Sequence, residues 1–138
     1  MAGVMAVPFL ACMVLVASFN HLPPRVLPSI HAVEGGEVGT VHRNADGSDD
    51  LGVMQVNTRW VMPLAWYAGL DPRVVRYRLI GDACFNIAAA GAILRAYVGA
   101  ERGNLMRAIG DYHSHTPALN QAYQAQVLRS AMLMFSRK

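Results

Sequence analysis

Glu34 is the acid in this chain best placed to move a proton. Leu27, Ile30, His31 and Glu34 fall at i, i+3, i+4 and i+7, one face of a helix, and Gly35-Gly36 stop that helix directly behind the acid. A second segment, Gly52-Val53-Met54-Gln55-Val56-Asn57, follows with the glycine, amide and thioether content of a turn that lines a site. A carboxylic acid protonates a leaving oxygen near neutral pH only if its pKa is raised. Two features push Glu34 that way. Leu27 and Ile30 share its face and desolvate the ionised form. The C-terminal end of a helix also disfavours a negative charge, by about 0.3–1 kcal/mol. That is less than one pKa unit, so burial has to supply most of the shift.

The elements that must position these residues are mostly helical. Leu22-Pro23-Pro24 marks a start, and Pro24 or Pro28 can sit in the first turn of the Glu34 helix. Residues 36–52 lack helical periodicity. Thr40-Val41-His42-Arg43 has the pattern of a short strand and Asn44-Ala45-Asp46-Gly47-Ser48-Asp49-Asp50 that of a turn, so a hairpin or irregular loop is expected after the helix. From Gln55 the helical pattern resumes through Trp60, Leu64 and Trp66. Asp71-Pro72 caps and opens a helix running through Leu79. Asp82 caps the next, with Cys84, Ile87, Gly91, Leu94 and Val98 on one stripe; its small residues Ala88 to Ala92 admit another helix at close range. Gly103-Asn104 caps a helix through Tyr112, and Thr116-Pro117 opens the last, with Leu119, Tyr123, Val127, Ala131 and Met134 as its apolar stripe.

The chain has 138 residues and a net charge of +3, carried almost entirely by arginine. The charge is too small and too scattered for a nucleic-acid footprint, and suits weak attraction to an anionic polymer. Residues 1–18 read as a signal peptide or an N-terminal membrane segment, with a core helix as the remaining alternative. Val4 to Phe19 is nearly all apolar, Val16-Ala17-Ser18 supplies small residues for cleavage, and the run is close to the lower limit for spanning. If that segment is removed, Cys84 loses Cys12 as its one possible internal partner and is expected to be a small buried apolar group. No metal or cofactor is expected. The Asn44–Asp50 loop does not follow the calcium-loop pattern, and His113-x-His115 and His31-x-x-Glu34 match no recognised ligand set. If a second carboxylate were needed beside Glu34, Asp50 is the best placed, although a turn-forming role suits it better.

Ile30-His31-Ala32-Val33-Glu34-Gly35-Gly36, then Gly47-Ser48, then Leu51-Gly52-Val53-Met54-Gln55-Val56-Asn57, then Asn86-Ile87, then Ala108-Ile109-Gly110-Asp111-Tyr112-His113-Ser114 resemble, in order and spacing, the soluble lytic transglycosylase domain. The similarity runs over roughly residues 22 to 127. It implies a lysozyme-like, goose-type helical domain over residues 22–138 with a short hairpin or irregular loop after the catalytic helix. It also implies cleavage of the β-1,4 bond between N-acetylmuramic acid and N-acetylglucosamine in peptidoglycan. Glu34 would act as general acid and then base, without a second carboxylate. The sugar's own 6-hydroxyl attacks the anomeric carbon to give a 1,6-anhydro end, and an intramolecular nucleophile needs no captured water.

By the same resemblance Ser48, Met54, Gln55 and Asn57 line the glycan groove, the Tyr112 hydroxyl sits near the acid, and His113 occupies a sugar-contacting position. Asn86 is expected to be a structural hydrogen-bonding residue. The chain departs from the family pattern at Gly35, where a serine is usual, and at His113-Ser114, where Asn-Ala-Gly is usual. Met106 stands where an aromatic residue is usual. The subgroup it looks like serves type IV secretion and conjugation systems. That implies an exported, periplasmic protein, membrane-associated only through the N-terminal segment if it is kept, with glycan strands and apparatus components as partners and no nucleic acid. The alternatives are a lysozyme-fold protein that binds glycan or apparatus without turnover, and a hydrolytic muramidase using water oriented by Asp50.

Overall fold

Capping residues set the helix boundaries of the computed structural model, which describes residues 6–136. The described residues form seven α-helices and one three-stranded sheet and divide into two compact units, residues 6–33 with 91–136, and residues 34–90.

The first unit holds α1 (Leu10–Phe19), α2 (Val26–Glu34) up to Val33, the later part of α5 (Ala83–Ala100), α6 (Leu105–His113) and α7 (Pro117–Phe135). Asn104 accepts a hydrogen bond from the Arg107 N–H and so starts α6, while Thr116-Pro117 starts α7 with proline in its first turn. Of the segment 1–18 expected to be a leader or membrane segment, residues 1–5 lie outside the described residues, and α1 covers its later part, with Met13 and Ala17 buried. Gly91 on α5 is where α1 comes close, because a side chain there would overlap Val16. The run of small residues thus does what its composition suggests. On α2, Leu27 and Ile30 are fully buried, and the Ser130 hydroxyl of α7 donates to the Ser29 carbonyl at 3.1 Å. Tyr123 and Val127 of α7 are buried as expected, but Leu119 is 51% exposed. Asn120 takes the buried position beside it, because its amide is bonded to Asp111 at 3.0 Å.

The second unit holds β1 (Val41–Arg43), β2 (Asp49–Leu51), β3 (Val56–Asn57), a 3₁₀ turn (Thr58–Trp60), α3 (Val61–Ala68), α4 (Pro72–Gly81) and residues 83–90 of α5. The sheet is antiparallel in the order β1-β2-β3, pairing Val41 with Leu51 and Leu51 with Val56. The expected strand at Thr40–Arg43 and the turn after it are present, with the Asn44 N–H donating to the Ser48 carbonyl at 2.8 Å. The structure corrects the expected helix restart at Gln55. Val56 and Asn57 form a third strand, and helix begins only at Val61, because Gln55 adopts φ 54° and turns the chain back onto β2. Asp71 accepts from the Arg73 N–H to open α4, and Asp82 accepts from the Phe85 N–H at 3.0 Å at the start of α5.

Cys12 and Cys84 are both disulfide-bonded. The lone apolar thiol expected at Cys84 belongs to a chain that has lost residues 1–18; with Cys12 present, Cys84 is not a free thiol.

Candidate functional site

Glu34 is the last residue of α2 and is half-buried, on the face that carries the fully buried Leu27 and Ile30. Gly35 follows at φ 68°, the left-handed conformation that ends a helix at little cost only for glycine. Gly36 is buried, and a Cβ on it would overlap the carbonyl groups of Gly52 and Val53. The two glycines therefore act differently: Gly35 turns the chain, and Gly36 lets the backbone lie directly on the Gly52-Val53 segment. That contact fixes the residue pair behind the acid against the turn that follows β2. Gly36→Ala should lower stability by about 1–3 kcal/mol through overpacking, read as a shift of the denaturation midpoint. Gly39→Ala in open space should cost less, its penalty confined to the φ of 91°.

The turn itself is built from hydrogen bonds. The Gln55 N–H donates to the Gly52 carbonyl at 3.1 Å, and the Gln55 side-chain amide donates to the same carbonyl at 3.0 Å. These two bonds hold Gln55 in its left-handed conformation, which is uncommon for a residue with a side chain. Beneath the turn lies Asn86, wholly buried. Its Oδ1 accepts from the Met54 N–H at 2.8 Å, and its Nδ2 donates to the carbonyls of Leu51 and Leu79, each at 2.8 Å. Asn86 is structural, as its expected role has it. Met54 is fully buried as well, its N–H held by Asn86 and its side chain filling the interior, so the expectation that it lines a groove is not met.

Ser48, Asp50 and Asn57 are joined at the other end of the same strands. The Asn57 amide donates to the Ser48 hydroxyl at 3.0 Å and to Asp50 Oδ1 at 2.9 Å. The Ser48 hydroxyl donates to Asp46 at 2.6 Å, and this bond with the Ser48 N–H holds the Asp46 carboxyl below the usual aspartate range. Asp50 lies opposite His42 across the β1-β2 pair, with the His42 ring nitrogen 3.9 Å from its carboxyl. Ser48, Gln55 and Asn57 are half-buried.

Asp49 is a residue whose importance the sequence does not show. It is buried, and Arg43 and Arg76 both bind its carboxylate. The hydrogen bond from Arg43 is the main cause that holds its pKa below the usual value, with Arg76 adding to it. A carboxylate whose pKa is lowered by folding contributes stability that is present above the unfolded value and lost as the pH falls through the folded one. The melting temperature should therefore fall on acidification below about pH 4. Asp49→Asn should lower it at neutral pH and make the remaining acid dependence shallower.

Tyr112 and His113 lie on α6, in the first unit. Tyr112 is half-buried, whereas His113 is exposed and stacks on the Tyr123 ring, with centroids 5.0 Å apart and planes within 12°. The second unit thus holds Met54 and Gln55 directly after the Gly52-Val53 segment against which Gly36 is pressed, with Ser48 and Asn57 at the other end of the strands. No protein-family model matches this chain, and none of the curated proteins matches it.

The chemistry available around the acid follows from these contacts. Glu34 stands on a helix terminus whose continuation cannot move away from the β2–β3 turn without losing the Gly36 contact. A carboxyl group held on rigid elements keeps its geometry toward a bound substrate. The Gln55 and Asn57 amides are engaged within this segment, Gln55 with the Gly52 carbonyl and Asn57 with Ser48 and Asp50.

Proposed function

We propose that this chain is an exported peptidoglycan lytic transglycosylase with a lysozyme-like fold. It would cleave the bond between N-acetylmuramic acid and N-acetylglucosamine with Glu34 as the single acid–base residue, forming a 1,6-anhydro end. The observation that carries the proposal is the pinning of the Glu34-Gly35-Gly36 helix end on the Gly52-Val53 segment, directly before Met54 and Gln55. That gives a spatial reason for the order of motifs that resembles the family. In this mechanism Glu34 protonates the glycosidic oxygen as the bond breaks. It then takes the proton of the sugar's 6-hydroxyl as that oxygen attacks the anomeric carbon.

Export is supported by the two disulfide-bonded cysteines, since disulfides persist in oxidising compartments such as the periplasm. The small net positive charge suits an anionic wall polymer. Local opening of the wall for a secretion or conjugation apparatus is the role that fits a small enzyme of this kind. A second reading, glycan binding without turnover, draws on His113, which is engaged with Tyr123 in place of the family's usual asparagine.

Digestion of purified peptidoglycan, with mass spectrometry of the fragments, tests these readings. Anhydro ends are expected. Reducing ends would instead identify a muramidase that uses water, and an intact polymer would identify a binding protein.

A further inference from the structure

In the second unit, α3 and α4 leave their largest side chains in water. Only Ala65 of α3 is buried, while Met62, Trp66 and Tyr67 are exposed, Trp66 by 90% and Tyr67 by 79%. Met62 and Trp66 stand at i and i+4 with Tyr67 beside Trp66, one face of the helix. α4 buries Val75 and Leu79 and turns Arg73, Val74 and Tyr77 outward at i, i+1 and i+4, with Tyr77 77% exposed. The two helices pack against each other and are joined by Gly69-Leu70-Asp71. Apolar residues exposed singly are ordinary, but large ones grouped on neighbouring helices mark an interaction surface.

The same stretch is basic. Residues 58–81 hold Arg59, Arg73, Arg76 and Arg78 against one acid, Asp71, a formal charge of +3. That equals the net charge of the whole chain, so acids and bases balance everywhere else. Arg76 and Arg78 are committed to Asp49 and Asp82, each at 3.2 Å. Arg59 and Arg73 are the exposed cations, and the pair that Arg73 makes with Asp71 at 3.3 Å is solvated and weak. Arg73 shares its helix face with Tyr77, so cation and ring point outward together.

We propose that the outward face of the α3–α4 pair docks on an anionic lipid surface. Tryptophan and tyrosine are amphipathic rings that settle at the headgroup level of a bilayer. Met62 and Val74 supply apolar surface for the acyl boundary beneath it. Arg59 and Arg73 meet the lipid phosphates, whose planar, multiply accepting oxygens suit a guanidinium fork. The helices lie on the surface and do not cross it, because α3 has 8 residues and α4 has 10, against the roughly 20 that a span needs. A glycan strand fits the set less well: a sugar stacks on a single ring and leaves Met62 and Val74 without an apolar partner. An acidic protein answers to the arginines and not to the rings between them.

Co-sedimentation of the full chain with vesicles tests the surface, using phosphatidylglycerol mixed with phosphatidylcholine, and phosphatidylcholine alone. Binding should be at least about tenfold tighter to the anionic vesicles and should weaken as salt is added. On binding, tryptophan emission should shift to the blue and be quenched by brominated lipid. Both changes should vanish in Trp66→Phe, which leaves Trp60 as the one tryptophan of the chain. Trp66→Ala combined with Tyr67→Ser, and separately Arg73→Glu, should each weaken binding by about tenfold with the thermal melt kept, since all three side chains are exposed. Leu15→Ser with Phe19→Ser alters the exposed apolar face of α1 instead and should leave binding unchanged. The proposal is overturned by no vesicle binding, by equal binding to neutral vesicles, or by binding that follows the α1 variant and not the α3 variant. An α3 variant that loses binding to sedimented peptidoglycan while keeping its affinity for vesicles overturns it too, and makes the patch a glycan surface. None of the vesicle readouts depends on glycan cleavage, so the proposal stands or falls separately from Glu34.

Discussion

Glu34→Gln should abolish the release of glycan fragments from peptidoglycan while the protein keeps its fold. The substitution conserves shape and hydrogen-bonding reach and removes only the exchangeable acidic proton. A general acid contributes about a hundredfold to ten-thousandfold, and in the proposed mechanism the same group serves again as base, so the loss should be at least about a hundredfold. The fold should not suffer, because Glu34 is half-buried at a helix end and the contact that anchors this end is made by Gly36, two residues later. Circular dichroism and thermal melting should match the parent. Asp50→Asn separates the mechanisms further. Asp50 already accepts from Asn57 within the sheet, so a lyase should retain most of its activity in that variant, whereas a hydrolase that orients water through Asp50 should lose it. Full glycan release by Glu34→Gln would refute the assignment outright.

The helical layout was legible because the signals that start helices are local. Asp71-Pro72, Asp82, Asn104 and Thr116-Pro117 mark their starts within a few residues of where the backbone turns into helix. The mistaken restart at Gln55 has a non-local cause. The backbone from Leu51 to Gln55 is shaped by Asn86, more than thirty residues away, and periodicity in a short window cannot register that bond. Leu119 and Asn120 show the same limit. An apolar stripe predicts the leucine inward, but the asparagine is drawn in by Asp111 and by the space at Gly110. The N-terminal segment was ambiguous in principle. A helix that is apolar on every side reads the same whether it is a leader, an anchor or a packed element; in this structure it buries Met13 and Ala17.

The site divides along the same line. Glu34 and its glycines could be found from sequence, since a helix stripe and its stop are adjacent in the chain. Which residues support the acid and which meet the ligand could not. Met54 looks like a groove residue by its place in the motif, yet its side chain is fully buried. Asp49 sits in a run of turn formers that reads as solvated, yet two arginines from different elements bind it.

Asn86→Ala should be the most destabilising single substitution in the second unit. The side chain is fully buried and serves three backbone groups: the Met54 N–H, the Leu51 carbonyl and the Leu79 carbonyl, each at 2.8 Å. Alanine keeps none of these bonds, and the groups left behind sit where water has little access. A buried backbone group without its partner costs roughly 1–3 kcal/mol, so three together should cost about 3 kcal/mol or more before the lost packing is counted. Against a total stability of about 5–15 kcal/mol for a domain, that is a large fraction, and it should lower the melting temperature by roughly 10 °C. Asn86→Asp separates the donor and acceptor roles. It keeps an acceptor for Met54 but turns a second oxygen toward two carbonyl oxygens, so it should be no milder than alanine and should recover in part as acid protonates the carboxyl. Asn57→Ala, removed from a half-buried network, should cost no more than about 1–2 kcal/mol by comparison. Denaturant midpoints of the three variants rank these effects directly. If Asn86→Ala proved no more costly than Asn57→Ala, the turn carrying Met54 and Gln55 would have to be held by something other than Asn86, and the rigid support assigned to the segment facing Gly36 would be lost.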